Sequence, residues 1–260
     1  MIGSSKLVNR RSFLKNGLSL FALKFLRFPL SEAFASGCPV FLPRLSIIID
    51  DIGFSRRRAE LFLRPEIPLT FSVLPRLSKS ASLAEELHAQ GHEIMLHQPM
   101  EPSNSIHDPG PGAVYVGDDP EKIACQIRRN IADIPFITGV NNHMGSKFTA
   151  CPREMTNALT TIMESGLYFI DSLTTGSSKG FQTARELGMT VARRNLFLDL
   201  HRDEDSILGQ LRNLKSRAEK QGHAIGIGHP YEETAQAINL FKKDINESEV
   251  SMVHISDLFS

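Results

Sequence analysis

Residues 45–53 read LSIIIDDIG, an apolar β-branched run that leads directly into two carboxylates and a glycine. Three consecutive isoleucines without polar alternation are typical of a strand that is buried on both faces, as in a parallel sheet. Asp50 and Asp51 stand where this strand ends. The stretch therefore predicts a parallel strand that carries acidic side chains to one edge of a sheet.

The rest of the chain repeats this arrangement, because short apolar runs alternate with longer amphipathic ones. Seven or eight strand-then-helix units predict a parallel sheet. The length of 260 residues favours one closed α/β barrel, (β/α)7-8, over an open sheet. The predicted strands cover residues 45–49, 69–74, 93–96, 136–140, 167–170, 190–192, 196–198, 224–227 and 250–253, and the predicted helices cover 55–63, 79–90, 119–131, 151–165, 179–187, 204–221 and 231–243.

One segment, residues 99–118, breaks the alternation. It is rich in proline and glycine and has no periodicity. A loop of this length inside a compact domain is usually a functional lid or a mobile insertion. We therefore expect it to cover the active site or to move beside it.

Composition excludes several classes of function. Lys and Arg number 29 and balance 29 Asp and Glu, so the formal net charge is zero, which argues against bulk electrostatic capture of nucleic acid. Three cysteines allow at most one disulfide, and their spacing does not resemble a zinc knuckle. The chain has no Trp and only three Tyr, which argues against tight stacking on long glycans.

Residues 1–37 predict an export signal. Arg10 and Arg11 precede an apolar stretch at 17–30, and small residues follow at 33–37. This order resembles a twin-arginine signal, so we expect residues 38–260 to form one exported, periplasmic or otherwise extracytoplasmic domain. A lipid anchor at Cys38 is the alternative. The apolar stretch is too short and too charged to give a stable membrane span.

Carboxylates, amides and imidazoles follow nearly every predicted strand. In a parallel barrel, the carboxyl ends of the strands form the active-site rim. A carboxylate with imidazoles is a ligand set for a divalent metal such as Zn²⁺, and this set predicts a metal-dependent hydrolase. The rim residues in chain order are Asp50, Asp51, His97, Glu101, Asn141, Asn142, His143, Asp171, Asp199, His201 and His229.

Four motifs resemble the NodB-like polysaccharide deacetylase superfamily of carbohydrate esterases. They are IIIDDIG at 47–53, GHEIMLH at 91–97, GVNNHMGS at 139–146 and GIGHP at 226–230. The third motif resembles the divergent branch of the superfamily, the YibQ-like family. The resemblance spans about residues 45–258 and implies a single catalytic domain with a deformed TIM-barrel fold.

The resemblance also implies roles for five residues. Asp51, His97 and His143 would bind the metal. Asp50 would be the general base that takes a proton from the attacking water. His229 would be the general acid that protonates the departing amine.

Three further residues are expected to support this chemistry. Asp171 would orient His229 and fix its tautomer. Glu101 stands where the main superfamily has a second metal-binding His, and we expect it to be a ligand or a partner of one. Asn141 is expected beside the ligands, and Asn141 or backbone N–H groups near Gly145 would hold the oxyanion.

The function implied is hydrolytic removal of N-acetyl groups from an envelope polysaccharide or oligosaccharide. The main superfamily also has an Arg that braces the catalytic Asp, and this sequence shows no obvious counterpart. A catalytically degenerate barrel that binds metal or glycan, with envelope protein partners, is therefore the first alternative. A metal hydrolase of another amide or ester bond is the second.

Overall fold

The computed structural model describes residues 42–63 and 66–260. The predicted export signal at 1–37 and the alternative lipid anchor at Cys38 lie outside the described residues. Across the described ranges, no helix is both long enough and apolar enough to cross a membrane.

Nine strands form one sheet in which every paired strand is parallel. They are β1 (Arg44–Ile52), β2 (Thr70–Val73), β3 (Glu93–Met100), β4 (Ile137–Met144), β5 (Tyr168–Asp171), β6 (Val191–Arg193), β7 (Leu196–Phe197), β8 (His223–Gly228) and β9 (Ser251–Met252). Eight follow the order β6-β5-β4-β3-β2-β1-β8-β7, and β9 pairs with the start of β1. The predicted parallel α/β architecture is confirmed.

The sheet curls into a barrel that is incomplete between its two edge strands. Within the described part of the chain, no ladder joins β6 to β7. Residues 194 and 195 cross this gap: Arg194 N donates to Asp171 O at 3.0 Å, and Asn195 N donates to Ile225 O at 2.8 Å. The fold is therefore a deformed barrel of the predicted type rather than a fully closed one.

In the described residues, seven α-helices connect the strands, and the ends of several follow local capping rules. Asp119 accepts a hydrogen bond from Lys122 N at the start of one helix, and Asp203 accepts one from Ser206 N at the start of another. Gly222 ends the latter helix with a left-handed φ of 84°. The helices are α1 (Arg56–Glu60), α2 (Ser80–Ala89), α3 (Pro120–Asp133), α4 (Pro152–Glu164), α5 (Gly180–Glu186), α6 (Glu204–Gln221) and α7 (Glu232–Asn246).

The isoleucine run of β1 is explained by two separate apolar layers. Ile47 and Ile49 pack in the cluster between the sheet and the helices, whereas Ile48 packs inside the barrel with Met95 and Ile170. Successive side chains of a strand point to opposite faces, so a strand with apolar layers on both sides has no polar alternation.

The functional strands β3 and β4 extend farther than predicted. The sequence predicted their ends at residues 96 and 140, but ladder pairing continues through His97 with Asn141 and Pro99 with His143. The prediction stopped at the last apolar residue, although the backbone stays paired while the inward side chains change from apolar to polar. Near the carboxyl ends of β3 and β4, the barrel interior is therefore lined by polar and titratable side chains that belong to the strands themselves.

The segment 99–118 is held by contacts at both of its ends, and its role as a lid or a mobile insertion stays a prediction. Its first two residues belong to β3, and Val114 forms a bridge with Met100. Gly112 O accepts hydrogen bonds from Gln98 Nε2 at 3.1 Å and from Asn130 Nδ2 at 2.7 Å. These bonds hold the segment against β3 and α3.

A buried carboxylate joins the amino-terminal end of the barrel to the end of the chain. Glu93 is 6% exposed and accepts hydrogen bonds from Thr70 Oγ1 at 2.8 Å, Thr138 Oγ1 at 2.9 Å and Ile255 N at 2.8 Å. Ser256 N, at the start of a short 3₁₀ helix, donates to it at 3.2 Å. The side chain therefore satisfies donors from two strands and the chain end.

We expect Glu93→Ala to lower the free energy of unfolding by about 3 kcal/mol, because it leaves several buried donors without an acceptor. Urea unfolding followed by circular dichroism measures the change. Glu85→Ala, at an exposed position on α2, is the matched control and should change stability by less than about 0.5 kcal/mol. Equal effects of the two substitutions would contradict the prediction.

Candidate metal centre

Two adjacent carboxylates reach the same side of β1 because the strand is irregular at its end. The register between β1 and β2 shifts between Ile49 and Ile52, and Asp51 has a left-handed φ of 58°. In a regular strand Asp50 and Asp51 would point to opposite faces, and a bulge re-aims one of them. His97 Nε2 lies 3.6 Å from Asp50 Oδ2 and 3.3 Å from Asp51 Oδ1, so both carboxylates face it.

The turn after these carboxylates requires glycine at position 53. Its φ of +134° lies in a region that side chains rarely adopt, and a Cβ there would lie 2.9 Å from Ser80 Oγ. The glycine of the LSIIIDDIG stretch therefore permits the sharp departure of the chain from the rim.

One carboxylate and two imidazoles converge at the carboxyl end of the barrel. Asp51, His97 and His143 each offer a ligand atom, and these atoms all lie within 4.8 Å of one another. Asp51 Oδ1 lies 3.0 Å from His143 Nδ1, and the His143 Nδ1 and His97 Nε2 atoms are 3.1 Å apart. The structure thus brings together the three residues that the sequence predicted as metal ligands.

The geometry of this cluster fits a divalent cation. Asp51 Oδ1 is buried, yet among the described residues it accepts no hydrogen bond of good geometry. Electron-rich atoms in such contact are stabilised when a cation or a proton lies between them. Two imidazoles and one carboxylate would supply three ligands to a metal and leave its fourth coordination position open, as in catalytic zinc sites. The three residues therefore form a candidate metal centre whose preferred ion remains a prediction.

Asn141 sets the orientation of the cluster. Its Nδ2 donates to Asp50 Oδ1 at 2.8 Å, so its Oδ1 is the acceptor that lies 2.7 Å from His97 Nδ1. Ser72 Oγ also donates to this Oδ1. This network assigns the proton of His97 to Nδ1 and leaves Nε2 free to bind a metal. Asn141 has the predicted supporting position, and one of its two Nδ2 hydrogens is bonded to Asp50, so the suggested oxyanion role stays a prediction.

The two carboxylates have opposite shifts in pKa. Burial raises the pKa of Asp50, although His97, His229 and the Asn141 hydrogen bond oppose this effect. Burial also acts to raise the pKa of Asp51, but the adjacent imidazoles of His143 and His97 outweigh it and hold that pKa below its ordinary value. Asp51 is therefore the permanent anion, whereas Asp50 is the more basic carboxylate.

The carboxylate partner of His229 is Asp199, and the predicted pairing with Asp171 is wrong. His229 Nδ1 lies 2.9 Å from Asp199 Oδ1, and Thr234 Oγ1 donates to Asp199 Oδ2 at 2.9 Å. Burial opposes protonation of His229, but Asp199 and the more distant Asp50 and Asp51 raise its pKa to about 9. His229 is therefore predominantly protonated at neutral pH.

Asp171 instead organises the loop between β5 and α5. Its Oδ1 accepts from Leu173 N at 2.9 Å, and its Oδ2 accepts from Ser178 Oγ at 2.8 Å and Phe181 N at 2.9 Å. Its carboxylate thus satisfies a free backbone N–H in the first turn of α5. Sequence position at a strand end did not distinguish Asp171 from Asp199.

Glu101 contacts the neighbouring loops and does not belong to the candidate metal cluster. Its Oε1 lies 2.7 Å from Lys147 Nζ, and its Oε2 accepts from Val116 N at 2.8 Å. Among the described residues, the cluster that could hold a metal does not include it. The expectation of a ligand or ligand partner at position 101 is therefore corrected, because the side chain secures the neighbouring loops.

Arg194 is a rim residue that the sequence analysis missed. Its Nε and Nη2 donate to the carbonyls of Ser172 and Leu173 at 2.7 and 2.9 Å, and its guanidinium carbon lies 3.5 Å from the Phe197 ring centroid. Burial lowers its pKa to about 10, although Asp50 and Asp171 oppose this shift. In the sequence, the only feature that marks Arg194 is its position between two short predicted strands.

The fold and the cluster together define a barrel of the polysaccharide deacetylase type with a candidate metal centre on its carboxyl-terminal rim. The chain belongs to the divergent polysaccharide deacetylase family, whose sequence profile matches residues 47–259. The predicted family is therefore confirmed.

Similar proteins support this family membership. The uncharacterized protein YibQ of Escherichia coli is 29% identical over 87% of this chain and 70% of its own length, and an uncharacterized Haemophilus influenzae protein is 29% identical over 83% and 76%. The crystal structure of an uncharacterized Agrobacterium tumefaciens protein aligns with a TM-score of 0.78 and 26% identity, covering 83% of this chain and 89% of that one.

A more distant structure shares the fold. It is a mutant of BA3943, described as a CE4 family pseudoenzyme with restored enzymatic activity, and the wild type is from Bacillus anthracis. It aligns with a TM-score of 0.52 and 13% identity over 84% of this chain and 68% of its own. This likeness shows the deformed barrel only.

We expect the purified protein to bind one divalent ion per chain. His143→Ala should weaken that binding by at least about 100-fold, because loss of a ligand should cost at least as much as the largest losses seen when a residue that supports a ligand is removed. Titration calorimetry with Zn²⁺ measures the affinity. His107→Ala, on an exposed turn, is the control and should bind as the wild type does. Unchanged affinity in His143→Ala would contradict the assigned centre.

Asp199→Asn should lower the pKa of His229 from about 9 to below about 8, because burial still opposes protonation while only the more distant Asp50 and Asp51 favour it. NMR titration of the imidazole in the metal-free protein measures this shift. Because the folded pKa is raised, the pair stabilises the fold fully below about pH 6.5, and this contribution is lost as pH rises through about 9. Asp171→Asn should leave the pKa of His229 above 8.

Proposed function

We propose that the protein is a metal-dependent hydrolase that removes N-acetyl groups from an extracytoplasmic polysaccharide or oligosaccharide. The convergence of Asp51, His97 and His143 beside the more basic Asp50 is the observation that carries this proposal. Membership of the divergent polysaccharide deacetylase family supports the reaction class. Resemblance of residues 1–37 to an export signal supports the location of the substrate.

The proposed reaction needs a base and an acid on one rim. A divalent cation, preferably Zn²⁺, held by the three ligands would polarise the amide carbonyl and acidify water. Asp50 Oδ2, the oxygen not bonded to Asn141, takes the proton of the attacking water. Its burial makes it a stronger base than an exposed Asp.

His229 supplies the acid. Nδ1 is engaged with Asp199, so Nε2 is the ring nitrogen available to protonate the departing sugar amine. The ring is held between Phe197, with centroids 6.0 Å apart, and Tyr231, with centroids 5.7 Å apart. This packing positions the ring, while Asp199 keeps it in the protonated form that an acid requires.

A second candidate is a catalytically degenerate barrel that binds metal or glycan for partners in the cell envelope. It is favoured by one observation: one of the two Nδ2 hydrogens of Asn141, an expected donor to the oxyanion, is already bonded to Asp50, so the oxyanion would depend on the other hydrogen or on backbone N–H groups near Gly145. Without a replacement donor, the transition state would lose a stabilising contact. Hydrolysis of a different amide or ester bond is a third candidate, which uses the same base and acid.

Zn²⁺-loaded protein should release acetate from N-acetylglucosamine oligomers, and Asp50→Asn should lower kcat by about 10²- to 10⁴-fold, the usual contribution of a general base. Acetate release is measured with an enzyme-coupled assay. Asp108→Asn, in an exposed turn, is the matched control and should keep full activity. Metal binding without acetate release from any acetylated glycan would support the second candidate instead.

The rate should fall as pH rises through the pKa of the acid, because His229 must be protonated to donate. That limb is expected below pH 9 in the metal-loaded wild type, because a bound cation opposes protonation of His229, and at still lower pH in Asp199→Asn. A pH–rate profile of kcat/KM measures both limbs. An alkaline limb that does not move in Asp199→Asn would contradict the acid role of His229.

A further inference from the structure

A cavity of about 250 Å³ opens directly beside the candidate metal centre. Asp51 forms part of its wall, so the cavity and the metal cluster share a residue. Phe54 and Arg58 line it from the chain that follows β1, whereas Arg202 and Tyr231 line it from the loops that follow β7 and β8. We refer to this cavity as the arginine recess.

The arginine recess carries an excess of positive charge. Its charged lining residues are Arg58, Arg202 and Asp51. Within residues 42–63 and 66–260, neither arginine lies within 4.0 Å of a carboxylate oxygen. Asp51 faces the two imidazoles of the cluster, so its charge is directed to the metal side. The two guanidinium groups are therefore available to an anion.

Arg202 is held in place by an aromatic ring rather than by an acid. Its guanidinium carbon lies 3.6 Å from the ring centroid of Tyr231, and its Nη2 donates to the Tyr231 hydroxyl. Stacking fixes the guanidinium plane without neutralising its charge, which lowers the ordering cost of binding a planar or tetrahedral oxyanion. A surface arginine without such a contact would lose more side-chain freedom on binding.

Phe54 adds an apolar wall to the same recess. Its side chain is 63% exposed, so its ring is accessible to a molecule bound in the recess. The apolar face of a sugar ring packs against aromatic rings of this kind. The recess thus offers an apolar surface for a ring and two cationic groups for a substituent on it.

We propose that the arginine recess is a subsite for a sugar ring that carries an oxyanion, a carboxylate or a phosphate, next to the N-acetyl group at the metal centre. The proposal rests on the proposed deacetylase function and deepens it by naming the substrate class. The preferred substrate is an anionic N-acetylated oligosaccharide rather than a neutral one.

Binding of matched oligosaccharides tests the recess independently of turnover. Zn²⁺-loaded Asp50→Asn protein, which should bind without hydrolysis, is titrated calorimetrically with four ligands that share one N-acetylated skeleton. One is neutral, one carries a carboxylate, one carries the methyl ester of that carboxylate, and one carries a phosphate. We expect at least one anionic ligand to bind about tenfold or more tighter than the neutral skeleton, as a charge-assisted hydrogen bond would allow, and the ester to bind like the neutral skeleton.

In the Asp50→Asn protein, a second substitution, either Arg202→Gln or Arg58→Gln, should abolish the preference for the anionic ligand. The affinity for the neutral ligand should stay unchanged. Arg57→Gln is the matched control, because Arg57 lies on α1 beside Arg58, is exposed and does not line the recess. The anion that binds more tightly identifies the source of the oxyanion. Equal affinity for all four ligands, or equal loss in Arg57→Gln, would overturn the subsite.

The two proposals fail in different ways in these measurements. If the anionic preference is present but the wild-type protein releases no acetate from any ligand, the subsite stands and the deacetylase proposal falls. If acetate is released from neutral and anionic ligands with equal kcat/KM and affinity, the deacetylase proposal stands and the subsite falls.

Discussion

The side-chain amide of Asn141 is the contact on which the site geometry depends. It bonds Asp50 and His97, which lie 91 and 44 residues away in the chain, and thereby fixes the proposed base and a proposed metal ligand relative to each other. One amide oxygen specifies the tautomer of His97, while the amide nitrogen restrains one oxygen of Asp50. Because Asn141 is buried on a paired strand, this restraint is rigid.

Around this contact, the structure separates groups of the same chemical type. Asp50 and Asp51 are neighbours in sequence, yet burial dominates the pKa of the first and adjacent imidazoles dominate the pKa of the second. His229 Nδ1 faces the carboxylate of Asp199, whereas His97 Nδ1 faces the amide oxygen of Asn141. Such divergence of environments would let the proposed acid and the proposed base coexist at the same pH.

The barrel supports this arrangement by dividing its interior into two parts. Ile48 and Met95 pack in the apolar interior, and Asp50 and His97 stand two residues farther along the same strands. Two residues advance a strand by about 6.6 Å, so a short step leads from a packed core to the rim. The bulge at Asp51 then adds a second carboxylate that a regular strand could not supply.

The sequence by itself determined the alternation of strands and helices, the family, and the convergence of Asp51, His97 and His143 on one rim, because these depend on local patterns and on motifs at strand ends. Only the tertiary structure decided that Asp199 rather than Asp171 meets His229, and that Glu101 secures loops instead of joining the cluster. Many rim loops carry acidic residues. Which of these residues contacts His229 or the candidate metal cluster depends on the paths of the loops and on hydrogen bonds between segments that are distant in sequence. No local pattern encodes those contacts, so only the folded barrel could distinguish them.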